Sequence, residues 1–188
     1  MSGPLHGVGH NGGPSMEAGF TFRKHAWSKA RHGLLGERLP IEVLRRRVAR
    51  AEALGLPYRN YASIRAATGC DVIGFLFSSN ALGLLRAGND IPAPIAAKLA
   101  TLPAQRIVAA HRGIDPARLL QRAEIDRAGA APRPFAPWRA TRSALTELLG
   151  HDLPRDGIVL VADAPSEAEW VEAGKLAGML RADAYFSA

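Results

Sequence analysis

Apolar positions along this chain fall into two patterns, stripes at helical spacing and short unbroken runs. Ile41, Leu44, Val48 and Ala51 share one face behind Leu39-Pro40, with Glu42 early and Gly55 then Pro57 to stop the run. Pro at a first helical position, acid in the first turn and Gly beyond the end are helix punctuation, so a helix from Pro40 to Gly55 is expected. Tyr61, Ile64 and Ala67 predict a second helix from Pro57 to Gly69. Further short helices are expected over 94–102, over 103–112, from Asp115-Pro116 through Arg127, and over 138–149, where Gly150 ends the pattern.

The unbroken runs are harder to type. Residues 72–77, VIGFLF, read as a central helix capped by Asp71. The rival reading is a buried strand, after which Ser78-Ser79-Asn80 would cap a helix from Ala81 and offer an anion site at its N-terminus. The run 158–162, IVLVA, bounded by Asp156-Gly157 and Asp163, is the clearest strand. Ala164-Pro165-Ser166 leads from it into a helix with Glu167, Glu169 and Glu172 early and Trp170, Leu176, Ala177 and Leu180 inward. Tyr185 and Phe186 are expected to dock on the core or meet a partner.

These elements predict a mainly α protein with a small C-terminal β-α unit; the alternative is an α/β fold with a short buried sheet including 72–77 and 158–162. The expected segments are a disordered Gly-rich tail over 1–19, a basic helical core over 20–128, a Pro-rich linker over 129–137 and an acidic α/β unit over 138–188.

Composition then narrows the function classes. A chain of 188 residues can bury a real core without staples, and one cysteine excludes an internal disulfide framework. With no apolar run near the roughly 20 residues of a membrane span and no signal-like front, a cytoplasmic protein without membrane contact is expected. The net charge of +7 is unevenly spread. Between Arg23 and Arg65 stand 11 Lys or Arg against three Glu, whereas from Glu147 onward three basic residues face eight acids. That asymmetry suggests DNA or RNA as partner of the front half, or a contact between opposite ends: a homo-oligomer or an acidic protein partner.

The candidate nucleic-acid contacts are Arg23, Lys24, Lys29 and Arg31, interleaved with Trp27 as a stacking side chain, then Arg45, Arg46 and Arg50 on the first helix and Arg59 and Arg65 on the second. Gly69 between two segments resembles a helix-turn-helix, yet 72–77 offers hydrocarbon where a recognition helix needs polar groups. The sequence GVGHNG at residues 7–12 matches a dinucleotide fingerprint in letters alone, since no strand can precede it. His6 and His10 beside it read as solvated, and no cofactor or metal is expected.

For chemistry, Cys70 beside a proposed helix start and Asp163 at a strand end are the weak enzyme candidates. The first function expected is a nucleic-acid-binding protein or accessory factor of low sequence specificity. The others are an interaction protein using opposite-charge ends and, last, an enzyme acting on an anionic small molecule; the chain is more readily a binding protein than an enzyme.

Overall fold

The computed structural model describes residues 39–187. The expectations for the tail 1–19 and for Arg23, Lys24, Trp27, Lys29 and Arg31 lie outside those residues. In chain order the elements are α1 (Ile41–Ala53), α2 (Tyr58–Thr68), β1 (Gly74–Ser78), α3 (Ala93–Thr101), β2 (Gln105–Ala110), α4 (Pro116–Leu119), β3 (Arg127–Ala130), α5 (Trp138–Leu149), β4 (Ile158–Ala162), α6 (Glu169–Gly174), β5 (Gly178–Arg181) and α7 (Ala182–Phe186). Among the described residues, 42–187 cluster as one compact unit.

The five strands form one sheet in the order β3-β2-β1-β4-β5, with every neighbouring pair parallel. The mainly α expectation is therefore incorrect: this is an α/β fold. Its central strand, β1, takes GFLF from the VIGFLF run expected to be a helix. All five residues of β1 are buried, as are all five of β4. A parallel strand covered on both faces needs apolar side chains at every position, so it loses the alternation that marks a half-exposed strand. Gly74 also belongs to the strand, because a Cβ there would sit 3.0 Å from Gln105 Cβ on the adjacent β2.

Alternate side chains of each strand feed two separate cores. Phe75, Phe77, Val108, Val159 and Val161 face a cluster that includes Leu54 just after α1 and Tyr61, Leu99 and Tyr185 from helices on that side. Leu76, Ile107, Ile158 and Leu160 face the other way, onto Leu145 and Leu149 of α5 and Trp170 of α6. Tyr185 completes the first cluster as expected of a docking aromatic. Its ring lies 5.2 Å from that of Phe75, and its hydroxyl donates to the Leu54 carbonyl at 3.1 Å.

Three further expected helices give way to strands. Residues 105–110 form β2, the helix from Pro116 stops at Leu119 before β3, and 178–181 form β5 after Lys175 takes a left-handed conformation that ends α6. The Pro-rich stretch 129–137 begins inside β3 and leads from it to α5. The sheet thus takes β1 and β2 from ahead of that stretch, β3 across its start, and β4 and β5 from behind it. Among the described residues no helix is long and apolar enough to cross a membrane.

Candidate functional site

Strand order places the site. The chain moves outward from β1 to β2 and β3, then returns to the other side of β1 to lay down β4. Loops leaving the carboxyl ends of β1 and β4 consequently diverge, and the crevice at such a switch point is where open α/β sheets bind ligands. The polar residues gathered there are Ser79 and Asn80 after β1, His111 after β2, and Asp163 and Glu167 after β4.

They form one connected network. Glu167 is 1% exposed and stands at the end of the turn that follows β4. Its Oε2 accepts the backbone N–H groups of Asp163 at 3.0 Å and Ala164 at 3.1 Å. Its Oε1 accepts the Asn80 amide at 2.8 Å and lies 3.2 Å from His111 Nε2. The other imidazole nitrogen, Nδ1, is 2.8 Å from Ser79 Oγ, which also accepts the His111 backbone N–H at 3.1 Å. One proton arrangement serves all of these contacts: Nε2–H donates to Glu167, and Nδ1 accepts from the Ser79 hydroxyl. Burial lowers the His111 pKa, and the nearby Glu167 carboxylate opposes that shift without cancelling it. The Trp170 ring stacks on the imidazole with centroids 5.7 Å apart.

Serine, histidine and glutamate in a row resemble a nucleophilic triad, but the geometry is that of a brace. Ser79 is wholly buried, so its hydroxyl faces no substrate. Both imidazole nitrogens are committed to internal partners. The network ties the carboxyl ends of β1, β2 and β4 together and leaves the groups around it to meet a ligand.

Those groups are basic and aromatic. A cleft of about 530 Å³ opens beyond β2 and β3, lined by Arg112, Arg133, His111 and the apolar Ile114, Pro116 and Pro132 among others, with no acid in its wall. Next in sequence to its lining residue Pro134, Phe135 is held at φ 58° and is 93% exposed; Trp138 at the start of α5 is 55% exposed and lines a separate concavity with Arg139, Arg142 and Glu147. The Arg142 guanidinium lies over the Trp138 ring at 5.3 Å, and Arg139 is exposed on the same helix end.

The residues singled out from sequence lie elsewhere. Arg50 and Arg65 both turn toward Asp71 ahead of β1, at the opposite edge of the sheet, 3.3 Å and 3.8 Å away. Arg50 also donates to the carbonyls of Val72 at 2.9 Å and Pro103 at 3.1 Å. Its Nε is not aligned for a hydrogen bond despite the 3.3 Å approach, so that contact with Asp71 is electrostatic. Arg45 pairs with Glu42 on the exposed face of α1, while Arg46 and Arg59 are exposed.

Cys70 and Asp163 are not brought together. Cys70 is at the Asp71 edge, where its Sγ contacts Asp156 at 3.4 Å, and that hydrogen bond raises the thiol pKa, the wrong direction for a nucleophile. Asp163 is exposed at the carboxyl edge and contributes its backbone N–H to the network. The turn at Ser78-Ser79-Asn80 leads into no helix, so the anion site imagined at a helix start from Ala81 does not exist; instead Ser78 Oγ accepts the Ala81 N–H at 3.1 Å. Sequence reasoning missed His111 and the pairing role of Glu167. The available signal was a polar residue directly after each apolar run, which becomes visible once those runs are read as strands.

Among the described residues no group of three His, Cys, Asp or Glu side chains could hold a metal. Comparison with family models, curated proteins and solved structures returns no significant match.

Proposed function

We propose that this is a cytoplasmic nucleic-acid-binding protein or accessory factor of low sequence specificity, and that it grips a single strand at the carboxyl edge of the sheet. The observation that carries this reading is exposed Trp138 with the Arg142 guanidinium over its ring and Arg139 on the same helix end, preceded three residues earlier by the exposed Phe135. Large aromatic rings left in water on a rigid edge are a stacking platform for bases, and adjacent guanidinium groups meet the phosphates that connect them. Every base presents a ring face, so binding of this kind is tolerant of sequence. On α1 and α2, Arg50 and Arg65 already serve Asp71 and Arg45 pairs with Glu42, which leaves Arg46 and Arg59 exposed there without an aromatic neighbour of the Trp138 kind.

The test is fluorescence anisotropy of labelled single-stranded DNA and RNA 12-mers at low salt, repeated across a salt series. Binding is expected with a slope near −0.7 in log K against log salt per phosphate contacted. Replacing Phe135 and Trp138 together with Ala should weaken it by at least about tenfold, the consequence of losing on the order of 1–3 kcal/mol of stacking per base. Absence of binding at low salt, or indifference to the double substitution, sinks the proposal. Salt-sensitive self-association without any nucleic acid would point to assembly through opposite-charge ends instead.

A further inference from the structure

We infer that the cleft between the carboxyl ends of β2 and β3 takes a terminal phosphomonoester, with Arg112 and Arg133 as the two cations that hold it. Ala110 and Ala130 are direct partners in the β2–β3 register, and the Ala131 N–H donates to the Ala110 carbonyl at 2.8 Å. Arg112 follows Ala110 by two residues and Arg133 follows Ala130 by three, so two neighbouring strands deliver the two guanidinium groups to one cleft. Adjacent strands are about 4.8 Å apart, a spacing at which both can reach one phosphate.

Charge selects the ligand. Neither Arg112 nor Arg133 has an ion-pair partner among the described residues, unlike Arg106, Arg122 and Arg127, each of which is matched to an acid. A phosphomonoester carries about −1.5 to −2 near pH 7, against −1 for a backbone diester. Two arginines on an acid-free wall favour the more highly charged group, and each can engage phosphate oxygens in bidentate fashion. The volume of about 530 Å³ exceeds what a phosphate fills, and Ile114, Pro116 and Pro132 supply stiff apolar walls for the attached sugar or base. No bond is broken here: the imidazole nitrogens of His111 are spent on Ser79 and Glu167, so the ring is a wall of the cleft.

The phosphate could terminate a strand or belong to a free mononucleotide, and the first of these rests on the strand-binding reading above. The experiment compares single-stranded 12-mers phosphorylated at the 5′ or 3′ end with hydroxyl-ended ones, alongside a mononucleotide and inorganic phosphate as competitor. We expect at least a tenfold preference for one phosphorylated end, competition by inorganic phosphate, and loss of the preference in Arg112→Ala/Arg133→Ala with hydroxyl-ended binding retained. Equal binding of phosphorylated and hydroxyl ends overturns the cleft assignment and leaves strand binding standing. Binding of the mononucleotide, competed by phosphate, with no binding of any strand, retains the cleft and overturns the strand reading. Failure of both ligands overturns both.

Discussion

His111 Nε2 lies 3.2 Å from the Glu167 carboxylate, and that single contact joins the loop after β2 to the turn after β4 across the intervening β1. Neither residue is adjacent in sequence to the other, and each is held by further bonds: His111 to Ser79, and Glu167 to Asn80 and two backbone N–H groups. The network thereby ties the carboxyl ends of β1, β2 and β4 to one another.

Removing the acceptor should therefore be costly. Glu167→Ala takes a buried carboxylate away from the half-buried Asn80 amide and His111 N–H and from the backbone N–H groups of Asp163 and Ala164. The expected loss is about 1–3 kcal/mol, the range for losing hydrogen bonds to a charged acceptor, measured as a lower urea midpoint with the slope unchanged. Retention of full stability would show that the network is decoration.

His111 makes stability depend on pH. Its pKa is held below the ordinary 6.5 by burial, so between that value and the lower folded one the unfolded chain binds more protons than the native chain. Stability from this group is full above pH 6.5 and declines as pH falls toward the folded value. Comparing urea midpoints of the protein and His111→Gln from pH 7.5 downward should show the acid-side decline shrink in the variant.

Arg50→Ala separates scaffold from binding surface. The side chain holds the Val72 and Pro103 carbonyls. Its removal should lower stability by about 1–2 kcal/mol while leaving single-strand affinity unchanged. Arg46→Ala, on an exposed position of α1, should change stability by less than about 0.5 kcal/mol. A fall in affinity for Arg50→Ala, with stability intact, would return the binding surface to α1.

At the opposite edge of the sheet, Gly157 leaves no room for a side chain. A Cβ there would lie 2.9 Å from Ile73 Cγ1 and 3.0 Å from the Asp71 backbone oxygen, while the Gly157 carbonyl accepts the Ile73 N–H at 2.8 Å. The backbone atom cannot yield without breaking that bond. Gly157→Ala is expected to destabilise by about 1–3 kcal/mol, seen as a lowered thermal midpoint.

What was legible in the sequence was local. Gly69 takes φ 74° to end α2, Asp115 accepts the Ala117 N–H at 2.9 Å to start α4, and α1 and α5 stop beside Gly55 and Gly150 as their punctuation predicts. Such signals act within a turn or two of chain and are independent of what lies across the fold. The 158–162 strand was readable for the same reason, with turn residues on both sides.

The sheet itself was decided in three dimensions. VIGFLF carries no period because β1 has a strand on each side and a core on each face, and the short β3 and β5 carry too few residues to announce themselves. The candidate site is more remote still from local signals. Ser79 and His111 are 32 residues apart and Asn80 and Glu167 are 87 apart, yet parallel strands deliver the end of each to one edge. By itself the sequence determined the punctuation at Gly55, Gly69, Asp115 and Gly150, the 158–162 strand and how charge is distributed. Which arginines stay free for a ligand was determined by packing, because an arginine is available only if folding brings no acid or carbonyl to it.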